Sequence, residues 1–369
     1  HFENNGVGPL ELINVLDPAT HVDEDEGSVS KTPENGRVVL ASAEDIVLDS
    51  IVVKSGSTTK VKGTDYNLAY NMDRKTITIS EVTSGSLGSS ALTITYNVID
   101  ATAVDQDDVI GSTDGAGTNT GLYAMKNVYQ MTGYVPGYLA APGWSSIPAV
   151  HAAMQANAVK VNRHWDAYLF VDLPLTSGGT ALTLDTVATW KTTNGYTGDN
   201  ETVYFPMAEA ADGKIYHLSV LAAANFQSLL YQQDGIPFKT ASNTDCEVIQ
   251  NLYMGEDNRG KVFDDSIINE KLNKNGISSA AYVGGRWAIW GAHSASYTFE
   301  NGDLVNVAET NRMMLFYLSN DFQHRRIMDV DKPMTMNDLK MIASEEQSRL
   351  DALLSIGALT YGRVEMNAS

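Results

Sequence analysis

The chain is poor in cysteine, with Cys246 alone among 369 residues. No intrachain disulfide is possible, and a lone thiol is typical of a reducing cytoplasm. We interpret Cys246 as a small buried side chain, with a nucleophile as the alternative. No apolar run approaches the roughly 18 residues of a membrane span, so we expect no direct membrane insertion. There is no signal peptide at the start. Because the sequence opens at His1 and stops at Ser369 just after a strand-like segment, we expect both ends to be truncated.

Basic residues are also scarce. Lys and Arg number 25 against 45 Asp and Glu, a net charge of −20, which excludes a nucleic-acid binder because phosphate neutralisation needs cations. Residues 1–110 are the more acidic part, with 18 acidic and 7 basic residues. The run Asp23-Glu24-Asp25-Glu26 predicts a solvated linker, since a calcium loop, the alternative, needs a glycine turn and spaced ligands.

Motifs that carry chemistry are missing or incomplete. Gly213-Lys214 resembles the end of a phosphate loop, but Ala208 replaces its first glycine and Ile215 its Ser or Thr. The seven histidines show no metal-ligand spacing, and there is no nucleophile elbow. A pair of carboxylates for glycoside hydrolysis stays open, because its spacing is spatial. We therefore predict no enzyme activity, no cofactor and no metal.

What the chain does contain is 43% hydrophobic residues and enough length for two or three domains. Residues 8–16 read as a buried strand, and residues 36–99 alternate with the period of two expected of strands. After Asn119 strands and helices alternate, with helices predicted over 214–231, 308–327 and 336–356 and a strand over 281–290. We predict an α/β (α+β) core of residues 1–20 plus 105–369, interrupted by a surface-exposed all-β sandwich or barrel of residues 21–104.

A series of short phrases rich in glycine, proline and aromatic residues runs along the last two thirds of the chain. In order they are Ala141-Pro142-Gly143, Tyr204-Phe205-Pro206, Asp234-Gly235-Ile236-Pro237, Leu272-Asn273-Lys274-Asn275-Gly276-Ile277, Trp290-Gly291 and Leu353 to Leu359. Their colinearity resembles the contractile tail sheath proteins of bacteriophages and related injection machines. Many relatives follow the Trp-Gly pair with Arg-Thr, whereas this chain has Ala292-His293.

The resemblance implies a structural subunit that assembles head-to-tail into hexameric rings, stacked as a helical sleeve, and that contracts to drive an inner tube through a host envelope. It implies terminal arms that add strands to neighbouring subunits, contacts with the inner tail tube protein and the baseplate, and a place in the virion tail after assembly in the host cytoplasm. Within that picture we select Lys340, Arg349, Arg325 and Arg326 as assembly or tube-facing residues. For Arg325 and Arg326, which close a predicted helix, stabilisation of the helix dipole is the simpler alternative. Two other functions stay open: a carbohydrate- or cell-surface-binding virion module, and an unrecognised hydrolase.

Overall fold

A computed structural model describes residues 8–259, 263–300 and 307–366. Helix and strand are mixed, at 32% and 25%, in several sheets, as an α+β protein requires. The described residues form two compact units, one of residues 8–13 with 110–366 and one of residues 14–109. That residues 21–104 are an inserted domain stable on its own remains a prediction.

The unit of residues 14–109 contains two antiparallel sheets that share one core. Its elements are β1 (Val22–Lys31), β2 (Arg37–Leu40), β3 (Val52–Ser55), β4 (Thr58–Thr59), β5 (Tyr66–Asn71), β6 (Thr76–Glu81), β7 (Leu92–Ile99) and the short helix α1 (Gln106–Ile110). The strand orders are β1-β7-β3-β4 and β2-β6-β5. Val53 and Ile94 from the first sheet lie in one buried cluster with Leu40, Ile77 and Ile79 from the second. Burial of these alternating side chains is the main force holding the sheets together.

The acidic run near the start of this unit is not a linker. Residues 23–26 lie within β1, which pairs with β7 through a register shift between Asp23 and Gly27. The prediction was wrong because Asp23 and Gly27, at the two sides of the register shift, both pair with β7, so the run is held within the strand as an irregularity. Gly27 also fits this place, since a side chain there would collide with the ring of Tyr96.

The larger unit is built on a five-stranded sheet. The strands of the whole unit, in this sheet and in smaller ones, are β8 (Tyr138–Ala140), β9 (Tyr168–Asp172), β10 (Thr176–Ser177), β11 (Thr180–Ala181), β12 (Glu201–Tyr204), β13 (Met207–Ala210), β14 (Ile215–Tyr216), β15 (Ile249–Tyr253), β16 (Ile277–Val283) and β17 (Arg286–Trp290). Its helices are α2 (Val128–Thr132), α3 (Pro148–Ala158), α4 (Val187–Thr193), α5 (Leu218–Gln232), α6 (Asp265–Lys271), α7 (Glu309–Arg326) and α8 (Met336–Ser355).

In the main sheet the strand order is β17-β16-β12-β9-β8. Four of these strands, β8, β9, β12 and β16, run parallel to one another, and β17 is antiparallel to β16. All five residues of β9 are buried, and α3, α5 and α7 pack against this strand. Continuous burial is what a parallel strand covered on both faces requires.

Two strand predictions in this unit were wrong. Residues 281–290 form a hairpin between β16 and β17, because Gly284 and Gly285 both take positive φ (60° and 83°) and close a two-residue turn. Of the segment predicted as a buried strand, residues 8–16, none is in a strand, and Leu12 is 85% exposed. An apolar segment needs a strand partner as well as an apolar pattern.

Helix ends follow their local chemistry closely. The side chain of Thr335 accepts a hydrogen bond from the amide of Asp338, and the Asp338 carboxylate accepts one from the Thr335 amide, which completes a capping box at α8. Asp264 caps α6 through the amide of Ile267. Gly276 takes the left-handed conformation, with φ of 65°, where the helical turn after α6 ends.

Candidate functional site

The positions where the sequence left some room for chemistry have structural roles. Gly213 lies in the turn of the β13–β14 hairpin, so no helix follows it as a phosphate loop would require. Cys246 is fully buried, which confirms its interpretation as a packing residue. Among residues 8–259, 263–300 and 307–366, no group of three His, Cys, Asp or Glu side chains could hold a metal ion. No helix in the same ranges is long and apolar enough to cross a membrane.

A buried carboxylate lies at the start of β12. Glu201 is fully buried, and its Oε2 lies 2.6 Å from His151 Nε2 on α3. Gln155 Nε2 donates to the same oxygen at 2.6 Å, and the Gly198 amide donates to Oε1 at 2.8 Å. His151 in turn stacks on Tyr196, with ring centroids 3.8 Å apart. The cluster therefore ties α3 to β12 and to the loop before it.

Two more buried ionisable groups stand close by in the fold. Lys191 is 2% exposed, and its Nζ donates to the carbonyl of Ala295 at 2.6 Å. Burial lowers the pKa of Lys191 to about 8, although the negative charge of Glu201 opposes the shift. Glu309, at the start of α7, accepts from Thr202 Oγ1 at 2.9 Å and from the hydroxyl of Thr240. Burial raises the pKa of Glu309 above its ordinary value.

The carboxyl end of β9 is closed by the same kind of bonding. Asp172 Oδ1 accepts from the Ser219 amide at 3.0 Å, and Oδ2 accepts from Ser219 Oγ at 2.5 Å, so the carboxylate holds the first turn of α5. The Asp172 amide donates to Ser145 Oγ at 3.0 Å. In open α/β sheets this edge is where ligands bind, but here its polar groups bind one another. These buried groups hold the end of β9 to α5 and to the loop before α3.

A cleft of about 240 Å³ opens beside β8 and α7. Aromatic side chains dominate its wall, with Tyr138, Tyr168, Phe316 and Tyr317 among them. Tyr138 lies at the open side of the cleft and is 39% exposed. The lining does not include Glu201, Lys191 or Glu309, which separates the cleft from the buried ionisable groups.

Three of the four residues selected from the sequence meet at one place, between α7 and α8. Arg325 binds Glu346 through two parallel hydrogen bonds of 2.6 Å, and its Nε donates to Asp321 at 2.6 Å. Arg326 Nη2 donates to the same Glu346 at 3.0 Å. Arg349 pairs with Asp321 from the other helix. We call this group, Asp321, Arg325, Arg326, Glu346 and Arg349, the arginine brace.

The brace fixes the charge state of its members. The hydrogen bonds from Arg325, followed by those from Arg326, hold the pKa of Glu346 at about 2. The hydrogen bonds to Glu346 raise the pKa of Arg325, and those to Glu345, followed by those to Glu346, raise the pKa of Arg326. Lys340, the fourth selected residue, is exposed on the first half of α8 and is not a member of the brace. Cross-helix pairs of this kind depend on tertiary packing, and no spacing along the chain could have revealed them.

Two of the glycine and proline phrases owe their glycine to crowding. A Cβ at Gly276 would lie 2.6 Å from the carbonyl oxygen of Tyr297. A Cβ at Gly291, where φ is 131°, would lie 2.5 Å from Ser278 Oγ and 2.9 Å from Asn273 Nδ2. These glycines therefore allow backbone segments to approach one another, which is a role in shape.

No protein-family model matches the chain. A curated relative, the tail sheath protein of Burkholderia phage BcepMu, is 34% identical over 175 residues. The chain is similar in sequence to a phage tail sheath protein. This confirms the resemblance to contractile tail sheath proteins. The match spans 46% of this chain and 34% of the relative, so about a third of the relative's length is involved.

A solved structure shares the fold at low identity. The sheath complex of an extracellular contractile injection system in its contracted state matches with a TM-score of 0.50 at 16% identity, covering 71% of this chain and 68% of that one. A tail sheath protein from Listeria innocua matches with a TM-score of 0.48 at 13% identity, covering 90% of this chain and 71% of that one.

Proposed function

We propose that this chain is a structural subunit of a contractile tail sheath, which assembles head-to-tail into a helical sleeve around an inner tube and contracts to drive that tube through a host envelope. The observation that carries the proposal is the 34% identity over 175 residues with a tail sheath protein. The buried ionisable groups support a structural role without enzymatic activity, since the carboxylates of Glu201, Asp172 and Glu309 form hydrogen bonds with other residues of the fold.

The partners follow from this role. Copies of the chain stack as hexameric rings through terminal arms that add strands to neighbouring sheets, and the sleeve meets the inner tail tube protein and the baseplate. A head-to-tail contact that does not close generates a helix, which suits a sleeve. The sleeve belongs to a phage tail or related injection system and is assembled in the bacterial cytoplasm.

We assign the unit of residues 14–109 to an inserted β-sandwich domain on the outside of the sleeve, with the predicted limits 21–104 as its sheet-forming part. The support is its separate compactness and a core drawn from both of its sheets.

For the tube side we retain the helix pair α7 and α8, with Lys340, Arg349, Arg325 and Arg326. Because the three guanidinium groups are paired with carboxylates of this chain, Lys340 is the side chain best placed to meet an acidic surface.

Position along the tail is the test. We would insert a hexahistidine tag between Gly178 and Gly179, in the exposed turn between β10 and β11. Particles are purified from cells that encode the tagged chain, labelled with nickel-gold and imaged by electron microscopy. A second insertion after Gly88, where no neighbour lies within 4 Å, reports on the other unit, and untagged particles are the control. We expect gold at regular axial spacing along the tail. Gold confined to the tail tip would favour the surface-binding module and reject the sleeve.

A further inference from the structure

The last helix, α8, is attached to the fold in an unusual way. Of its twenty residues only Glu346 and Leu353 are buried. Met336, Leu339 and Met341 of its first half are between 41% and 63% exposed. A helix of this length in a globular protein normally buries an apolar stripe, and that stripe supplies most of its stability.

Charged hydrogen bonds take the place of that stripe. The Glu346 carboxylate accepts hydrogen bonds from Nη1 and Nη2 of Arg325 at 2.6 Å and from Nη2 of Arg326 at 3.0 Å, and both arginines lie on α7. In the opposite direction Arg349 of α8 donates to the hydroxyl of Tyr317 at 3.1 Å and pairs with Asp321. The side chains of Arg325, Arg326 and Arg349 are 20–32% exposed, so the brace is half-buried.

The space around the brace is loosely packed. An open groove of about 310 Å³ runs between α7 and α8, and Leu318, Phe322 and Leu350 are among its lining residues, together with Glu346 and Arg349. Apolar side chains that face a groove make fewer contacts with the opposite helix, so less dispersion energy is lost when the two helices separate there.

The C-terminal segment is carried by α8. Gln347 Nε2 donates to the carbonyl of Gly362 at 3.1 Å, and Gln347 Oε1 accepts from the amide of Val364 at 2.9 Å. The amides of Ala358 and Leu359 donate to the carbonyl of Leu353 at 2.9 and 3.4 Å. Residues 358–364 are therefore bound to the helix itself and must move with it.

We propose that α8 and residues 358–366 form a detachable element that opens from the rest of its unit as one body, and that the arginine brace is its latch. Opening breaks the charged hydrogen bonds and exposes the one buried apolar side chain of α8, Leu353, while no strand of the five-stranded sheet is part of the element. Such elements are the low-stability parts of a protein that conformational changes use. The inference stands apart from the sheath proposal, since it depends only on contacts within one chain.

Hydrogen exchange of the full chain, followed by mass spectrometry, tests this. In the unmodified protein we expect the amides of residues 336–366 to exchange together. The free energy of the opening that exposes them should be lower, and should fall less steeply with urea, than the free energy of the opening that exposes the amides of β9. Equal protection and equal urea dependence for α8 and β9 would overturn the proposal, and this measurement needs no variant.

Two variants then test the latch. Glu346→Gln keeps the size of the side chain but removes the charge that accepts hydrogen bonds from Arg325 and Arg326. Hydrogen bonds to charged groups are worth about 1.5–3 kcal/mol, so α8 opening should rise at least about tenfold. Glu345→Gln is the matched control, because Glu345 is exposed and pairs with Arg326 alone among the described residues, so we expect less than about a threefold change. In both variants exchange of β9 should stay the same. A Glu346→Gln protein whose α8 exchange is unchanged, or whose β9 exchange rises in step with α8, refutes the latch.

Discussion

Replacing Gly276 with alanine separates the demands of backbone shape from those of side-chain chemistry. Gly276 has φ of 65°, and its missing Cβ would lie 2.6 Å from the carbonyl oxygen of Tyr297 and 3.0–3.1 Å from those of Ser294 and Ala295. The left-handed conformation costs an alanine about 1–2 kcal/mol. Overpacking against backbone that cannot turn aside adds about 1–3 kcal/mol. We therefore expect Gly276→Ala to lower the free energy of unfolding by about 2–5 kcal/mol.

Gly357→Ala is the matched control for this change. Gly357 has nearly the same backbone conformation, with φ of 75°, but no atom lies within 4 Å of its missing Cβ. The control should lose only the conformational part, at most about 1–2 kcal/mol.

Urea unfolding followed by tryptophan fluorescence measures both losses. The five tryptophans all lie in the unit of residues 8–13 with 110–366, which also contains both glycines. Equal losses for Gly276→Ala and Gly357→Ala would refute the reasoning, because crowding at Gly276 would then contribute nothing.

Three further predictions concern the two units and the helix ends. Ile79→Ala should destabilise the unit of residues 14–109 by about 2–5 kcal/mol, because a fully buried side chain is lost. Hydrogen exchange of the β6 amides should become faster. If the urea unfolding curve followed by tryptophan fluorescence, which reports on the other unit, shifted as well, the two units would not unfold separately. For Lys191 the folded pKa is lowered, so the unfolded chain binds more protons above pH 8 and stability should rise with pH. Between pH 8 and 9.5 the unmodified protein should gain about 1–2 kcal/mol relative to Lys191→Met in urea titrations, whereas a constant difference would argue against burial of the charge. Thr335→Ala removes half of a capping box, so the first turn of α8 should lose about 1 kcal/mol of stability. Circular dichroism should show a small loss of helix, and hydrogen exchange should become faster in the first turn of α8 and stay the same in α7.

Local signals in the sequence were reliable where one short-range interaction decides the structure. The predicted helices over 308–327 and 336–356 are α7 and α8. Gly276 ends a helical turn because only a residue without Cβ fits a left-handed cap in that space.

Errors arose where distant residues decide. Residues 23–26 lie within a strand because Asp23 and Gly27 pair with β7 on either side of a register shift, and nothing in the acidic run itself indicates that neighbour. The pair Gly284-Gly285 was the overlooked local signal, since two glycines between apolar segments indicate a hairpin turn. Apart from the Asp321–Arg325 pair within α7 and the Gly198–Glu201 bond, the arginine brace and the bonding around Glu201 join residues 20 to 50 positions apart, so the pattern of one helix or strand could not predict them.

The pairing between Asp166 and Asn320 has a consequence for how the chain is made. The amide of Asp166 donates to Asn320 Oδ1 at 3.0 Å, and Asn320 Nδ2 donates to the carbonyl of Asp166 at 2.8 Å, across 154 residues of sequence. During synthesis the backbone just before β9 thus waits for a side chain that is translated 154 residues later. Contacts between residues so far apart in sequence form slowly because a long loop must close first, so this end of β9 lacks its partner until α7 has left the ribosome.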